Sequence, residues 1–255
     1  MTTAVRSHSY ATLAAIAALA FIVACVGHEA FGHGGMCIAL GGHVTLLSSI
    51  YFQCSNASPL TDAAGPLMNL ALGAICWIVL CRWPSLSPNW RLFLVFAMAF
   101  NLFWGAGYFI FSAVTNTGDW AFVLRDLGLQ PNWLWRCLMG AIGVVAYSRS
   151  IRLTALRLPS GTPLLVPYLV AGIVSCLAAL CFDGPTLPAL REAAQESFGA
   201  SVGLLVLAYR TSTRSEPTSS IVFISYSTGW ILTSTLATLA FVVTLGRGFT
   251  TGGHF

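Results

Sequence analysis

Apolar residues in this chain come in long blocks separated by short polar breaks. A helix needs about 20 apolar residues to cross roughly 30 Å of hydrocarbon, and several blocks approach that length. The first covers residues 10–27 and runs straight into His28; the second covers 63–81 and the third 92–114. A shorter block at 133–147 carries Arg136 near its start, where a long side chain can snorkel to the interface. Residues 163–182 make a fifth. Residues 198–209 suffice only if the helix extends backwards through 189–196, and 221–245 is the last. Between the first two blocks, residues 41–54 alternate loosely, with Val44, Leu46, Ile50 and Phe52 on one set of positions. That pattern predicts a strand or hairpin dipping into the membrane surface. The expectation is an all-α, polytopic transmembrane helix bundle of six to seven spans, with a short strand-like membrane-surface segment after the first. Residues 1–255 form a single integral membrane domain, with a core at about 10–120 and additional spans at 133–245.

Composition narrows the class further. Only 8% of residues are charged and mean hydropathy is +0.78, whereas soluble domains carry about 25% charged residues. Such a chain cannot cover a globule with solvated side chains, so the lipid bilayer is its expected partner. The net charge of +4 is spread over short loops and is no nucleic-acid footprint. Every basic residue is arginine. With seven spans, Arg6, Arg82, Arg91, Arg149, Arg152, Arg157, Arg210 and Arg214 fall on one side, and Arg125, Arg136, Arg191 and Arg247 on the other. That bias puts the N-terminus in the cytoplasm, and the arginine-only, alanine-rich usage suits a bacterial inner membrane. Residues 10–27 could pass for a signal peptide, but cleavage there would discard the acid and histidines that follow, so the block is read as a span. Cys25, Cys37, Cys76, Cys137 and Cys176 sit in apolar runs as small apolar residues. With no Cys-x-x-Cys pair, neither a disulfide framework nor a thiolate metal site is expected.

The chemistry concentrates in Gly27-His28-Glu29-Ala30-Phe31-Gly32-His33. Ionisable groups inside a span are costly and by default functional. Two imidazoles bind zinc well, and a neighbouring carboxylate can act as general base. The usual His-Glu-x-x-His spacing puts both histidines on one helical face. Here His33 is five residues after His28, which a regular helix would rotate about 140° away. One wide π-type turn would bring the rings back to within about 50°, and Gly32 makes that distortion cheap. Further on, Gly65-Pro66-Leu67-Met68-Asn69 opens a span with an amide one turn in. Proline is tolerated there because its missing N–H has no partner in a first turn. Asn69 could bind a substrate backbone or a developing oxyanion. Asp119, just after the third block, can complete the three protein ligands of a catalytic zinc. His43 is a weaker ligand candidate. The aromatics Phe100, Phe103, Trp104, Tyr108, Phe109 and Phe111 read as packing and interface belt.

In order and in kind, His28-Glu29…His33, Gly65-Pro66-x-x-Asn69 and Asn116…Asp119 resemble the site-2 protease family of intramembrane zinc metalloproteases, over residues 23–120. The His-Glu-x-x-Gly-His spacing is also that of the dipeptidyl peptidase III family. The first resemblance implies His28, His33 and Asp119 as Zn2+ ligands, Glu29 as catalytic base and Asn69 as a catalytic, substrate-positioning group. The implied substrate is a transmembrane protein or peptide. Asp183-Gly184 matches the family's aspartate motif literally but lies two spans too late, and ranks second. The alternative, which the extra residue between the histidines favours, is an inactive pseudoprotease or scaffold that binds client membrane proteins, or a metal carrier.

Overall fold

The computed structural model describes residues 8–212 and 223–251. Ser9 caps the first helix, its hydroxyl accepting the Thr12 N–H at 3.3 Å. α1 (Tyr10–Val26), a π-helical segment (Gly27–Gly34) and α2 (Gly35–Ala39) then form one unbroken rod of 30 residues. The chain folds back through β1 (Val44–Leu47) and β2 (Phe52–Cys54), an antiparallel pair. α3 (Pro59–Arg82) and α4 (Pro88–Thr115) each start with proline in the first turn. α5 (Asp119–Asp126) is a short helix outside these rods, and α6 (Asn132–Arg157), α7 (Leu165–Leu180), α8 (Thr186–Ala194) and α9 (Val202–Ser212) follow. A second π turn, Gln195–Gly199, joins α8 to α9. α10 (Thr228–Phe241) continues through a third π turn, Val242–Gly246. β3 (Phe249–Thr250) then pairs with β1, so the sheet order is β2-β1-β3.

Four helices among the described residues are long and apolar enough to cross a membrane: Tyr10–Ala39, Pro59–Arg82, Pro88–Thr115 and Thr228–Gly246. The expected fourth span reaches Arg157 rather than stopping at 147, and Arg136, Arg149, Arg152 and Arg157 make it less apolar than these four. Arg136 donates to the Ala113 and Val114 carbonyls at 2.8 and 2.9 Å, closing the C-terminus of α4. Residues 221 and 222, at the start of the last expected span, lie outside the described residues.

The core forms where α1 and α4 cross. Phe21, Phe96, Phe100 and Phe103 are at most 2% exposed, and Ala171 of α7, Leu204 of α9 and Phe241 of α10 join the same cluster. Outer helices show the reverse: Ile75 and Ile78 on α3, and Leu232, Leu236 and Leu239 on α10, point outward. Exposed apolar faces of that extent are unstable in water and stable against lipid. Together with the four long apolar helices, such faces suggest a membrane protein.

One expectation is overturned. Cys37 and Cys54 form a disulfide that ties α2 to β2. The apolar setting of Cys37 in sequence disguised this, because the pairing exists only once the hairpin folds back over the end of the rod.

Candidate metal centre

Both histidines belong to the π-helical segment. Its wider turn absorbs the extra residue between them, and the rings converge with centroids 4.8 Å apart. Close approach by α3 needs two glycines. A Cβ on Gly32 would sit 2.7 Å from the Gly65 Cα, and one on Gly65 would sit 2.7 and 2.8 Å from the Cε1 atoms of His33 and His28. Pro66 lies inside α3 rather than in a first turn, and its missing N–H removes one bond of the helical ladder at this crossing. Asp119 arrives by a different device. α4 ends with Asn116 in the left-handed region (φ 58°), and Gly118 takes φ 80° and ψ 177°, a combination only glycine adopts without strain. The chain reverses there, and Asp119 opens α5 facing the histidines.

The atoms brought together are His28 Nε2, His33 Nε2 and Asp119 Oδ2. The two nitrogens are 3.2 Å apart, and they lie 3.3 and 3.5 Å from the carboxylate oxygen. Neighbouring hydrogen bonds decide which of these atoms carry protons. Asn101 Nδ2 donates to the Ala97 carbonyl, which makes Asn101 Oδ1 an acceptor. Asn69 Nδ2 donates to that oxygen and to the Ala24 carbonyl, so Asn69 Oδ1 must accept from His28 Nδ1 at 2.6 Å. His33 Nδ1 faces the Thr61 carbonyl at 2.7 Å, and a carbonyl only accepts. Each neutral imidazole therefore has its single proton on Nδ1 and a lone pair on Nε2. Two lone pairs and a carboxylate meet with no donor among them. Asp119 Oδ2 and Glu29 Oε2 are buried without a hydrogen-bond partner. Such a constellation repels itself unless a proton or a metal ion joins it.

The geometry fits a metal ion. Tetrahedral bonds of about 2.0–2.1 Å place donor atoms about 3.3–3.4 Å apart, close to the three separations found. His28, His33 and Asp119 could thus hold an ion, and the outer nitrogen of each imidazole is fixed by a partner, as in metal centres generally.

Asn69 requires a correction. It is fully buried and both its amide hydrogens are committed, so it has no donor left for a substrate or an oxyanion; it orients His28. Asp183 is exposed and paired with Arg247 at 2.8 Å, which removes it as a ligand. His43 lies in the turn before β1, its backbone N–H bound to the Ser55 hydroxyl, and is not among the ligand group. Two of the aromatics read as packing face the site. Trp104 and Tyr108 stack on His28 with centroids 5.4 and 5.1 Å away, and Phe52 of β2 stacks on His33 at 5.3 Å. Asn101 was legible as a polar residue inside an apolar block, a signal of function in itself. Glu196, whose Oε1 accepts from the Tyr108 hydroxyl at 2.7 Å, gave no such sign.

No protein-family model matches the chain, and neither a curated protein nor a solved structure matches it.

Proposed function

We propose that this chain is a zinc-dependent intramembrane protease that hydrolyses peptide bonds of membrane-protein segments. One observation carries the reading: three acceptor atoms of His28, His33 and Asp119 converge with no donor among them, next to the buried, unpartnered Glu29. Two imidazoles and one carboxylate, with a fourth position left open, is the ligand pattern of a catalytic zinc. When bound, zinc supplies Lewis acidity toward a peptide carbonyl and the attacking water. Glu29 accepts the proton of that water and returns it to the leaving amine. Asn69 and the Thr61 carbonyl keep both Nε2 lone pairs turned inward. The π turn that aligns the histidines is a distortion found mostly at functional sites.

The bundle reads as seven crossings, with α6, α7 and the α8–α9 pair added to the four long apolar helices. The N-terminus lies in the cytoplasm and the metal centre near the opposite face. Two features support this orientation. Arg82, Arg91, Arg149, Arg152, Arg157 and Arg210 then fall on the cytoplasmic side, the side that arginine favours; Arg6 and Arg214 belong with them in sequence but lie outside the described residues. The Cys37–Cys54 disulfide lies at the other end, where an oxidising compartment would let it form.

The test is metal analysis and proteolysis on detergent-purified protein. About one zinc per chain is expected, lost in a His28→Ala/His33→Ala double variant. Glu29→Gln should keep the zinc and lose cleavage of transmembrane peptides by about 100-fold or more. Zinc retained with undiminished cleavage would remove Glu29 from the mechanism, and absence of any bound metal would leave a client-binding scaffold.

A further inference from the structure

Behind the metal centre lies a cavity of about 250 Å³. It is smaller than the roughly 300–1,000 Å³ typical of small-molecule pockets, and its walls are almost wholly apolar. Trp104 and Tyr108 form the partition, lining the cavity as well as stacking on His28. Phe111 and Tyr147 extend the aromatic wall. The far side is the second π turn, which contributes Glu196 and Gly199. Two details set what the cavity accepts. A Cβ at Gly199, which lines the cavity, would meet nothing within 4 Å, so a larger side chain has room there. Glu196 is the one carboxylic acid of the lining; Tyr108 engages one of its oxygens, and no ion pair reaches it among the described residues. A carboxylate entering this apolar setting would lose its hydration and find no cation to pair with.

We propose that this cavity is the specificity pocket of the site, taking one large apolar side chain, aromatic or branched aliphatic, of the substrate segment next to the bond to be cut. The inference rests on the protease reading. The shared partition is what assigns the occupant: only the rings of Trp104 and Tyr108 separate a side chain in the cavity from His28. Small side chains leave the cavity underfilled, and acidic ones are excluded by the cost of burying a charge against apolar walls.

The test uses binding, so that it stands apart from cleavage. The zinc-loaded Glu29→Gln protein in nanodiscs is titrated with fluorescent transmembrane peptides that differ at one scanned position, carrying Phe, Ala or Glu. At one register the Phe peptide should bind about tenfold more tightly than Ala, with Glu weakest. Adding Gly199→Leu, which fills the empty volume, should bring the Phe-to-Ala ratio to about one while zinc content stays unchanged; Ala200→Val serves if the leucine variant does not fold. A ratio near one at every position in the parent, or a ratio unmoved by filling the cavity, overturns the proposal. A wild type that shows the Phe preference yet cleaves nothing would defeat the protease reading and leave the pocket standing.

Discussion

Replacing Asn69 with leucine separates two roles that the sequence alone could not tell apart. The substitution keeps the volume and removes the amide. Ala24 loses one donor but still accepts the Gly27 N–H. His28 Nδ1 and Asn101 Oδ1, both fully buried, lose the partners they have at 2.6 and 2.9 Å. An unsatisfied buried polar group costs about 1–3 kcal/mol, so two cost about 2–6 kcal/mol. Polar contacts between membrane helices contribute less than that on average, which sets the expectation near 2 kcal/mol. The larger effect falls on the metal. Without the amide oxygen, nothing holds the His28 proton on Nδ1, and loss of such outer partners typically lowers metal affinity 10–100-fold. Chelator competition on the purified variant measures the zinc affinity, and thermal unfolding in the same detergent measures the stability. Zinc affinity and stability at wild-type levels, with only substrate handling impaired, would refute the assignment and return Asn69 to the substrate.

Other outcomes follow from the same coordinates. Gly65→Ala places a methyl against both imidazoles; zinc affinity should fall by about tenfold or more, and a zinc-replete alanine variant would show that α3 does not set the centre. Orientation is checked by cysteines introduced at Asn56 and Ser85: an impermeant maleimide applied to intact cells should label the first and spare the second, and the reverse pattern would invert the bundle. On the same cells, thiol blocking without reductant should leave Cys37 and Cys54 unmodified, their labelling appearing only after reduction.

Much of this protein is determined locally. Long apolar blocks with 8% charge predict helices able to cross a membrane, and the helices begin where serine or proline and an apolar run coincide, at Ser9, Pro59 and Pro88. The five-residue offset between His28 and His33 already demands a π turn if the rings are to meet, because helical geometry fixes the angle per residue. What the sequence by itself could not decide depends on contacts across the fold. Asn69 reads as a free amide until Ala24 and Asn101 are seen to occupy its donors. Cys37 reads as a small apolar residue until the hairpin carries Cys54 back to it, 17 positions away. Glu196 is unremarkable in its own helix and becomes part of the site only because α4 turns Tyr108 toward it across 88 residues of chain. Spacing along one helix is a local quantity and can be read; partnership between helices depends on how they pack, and only the tertiary structure supplies it.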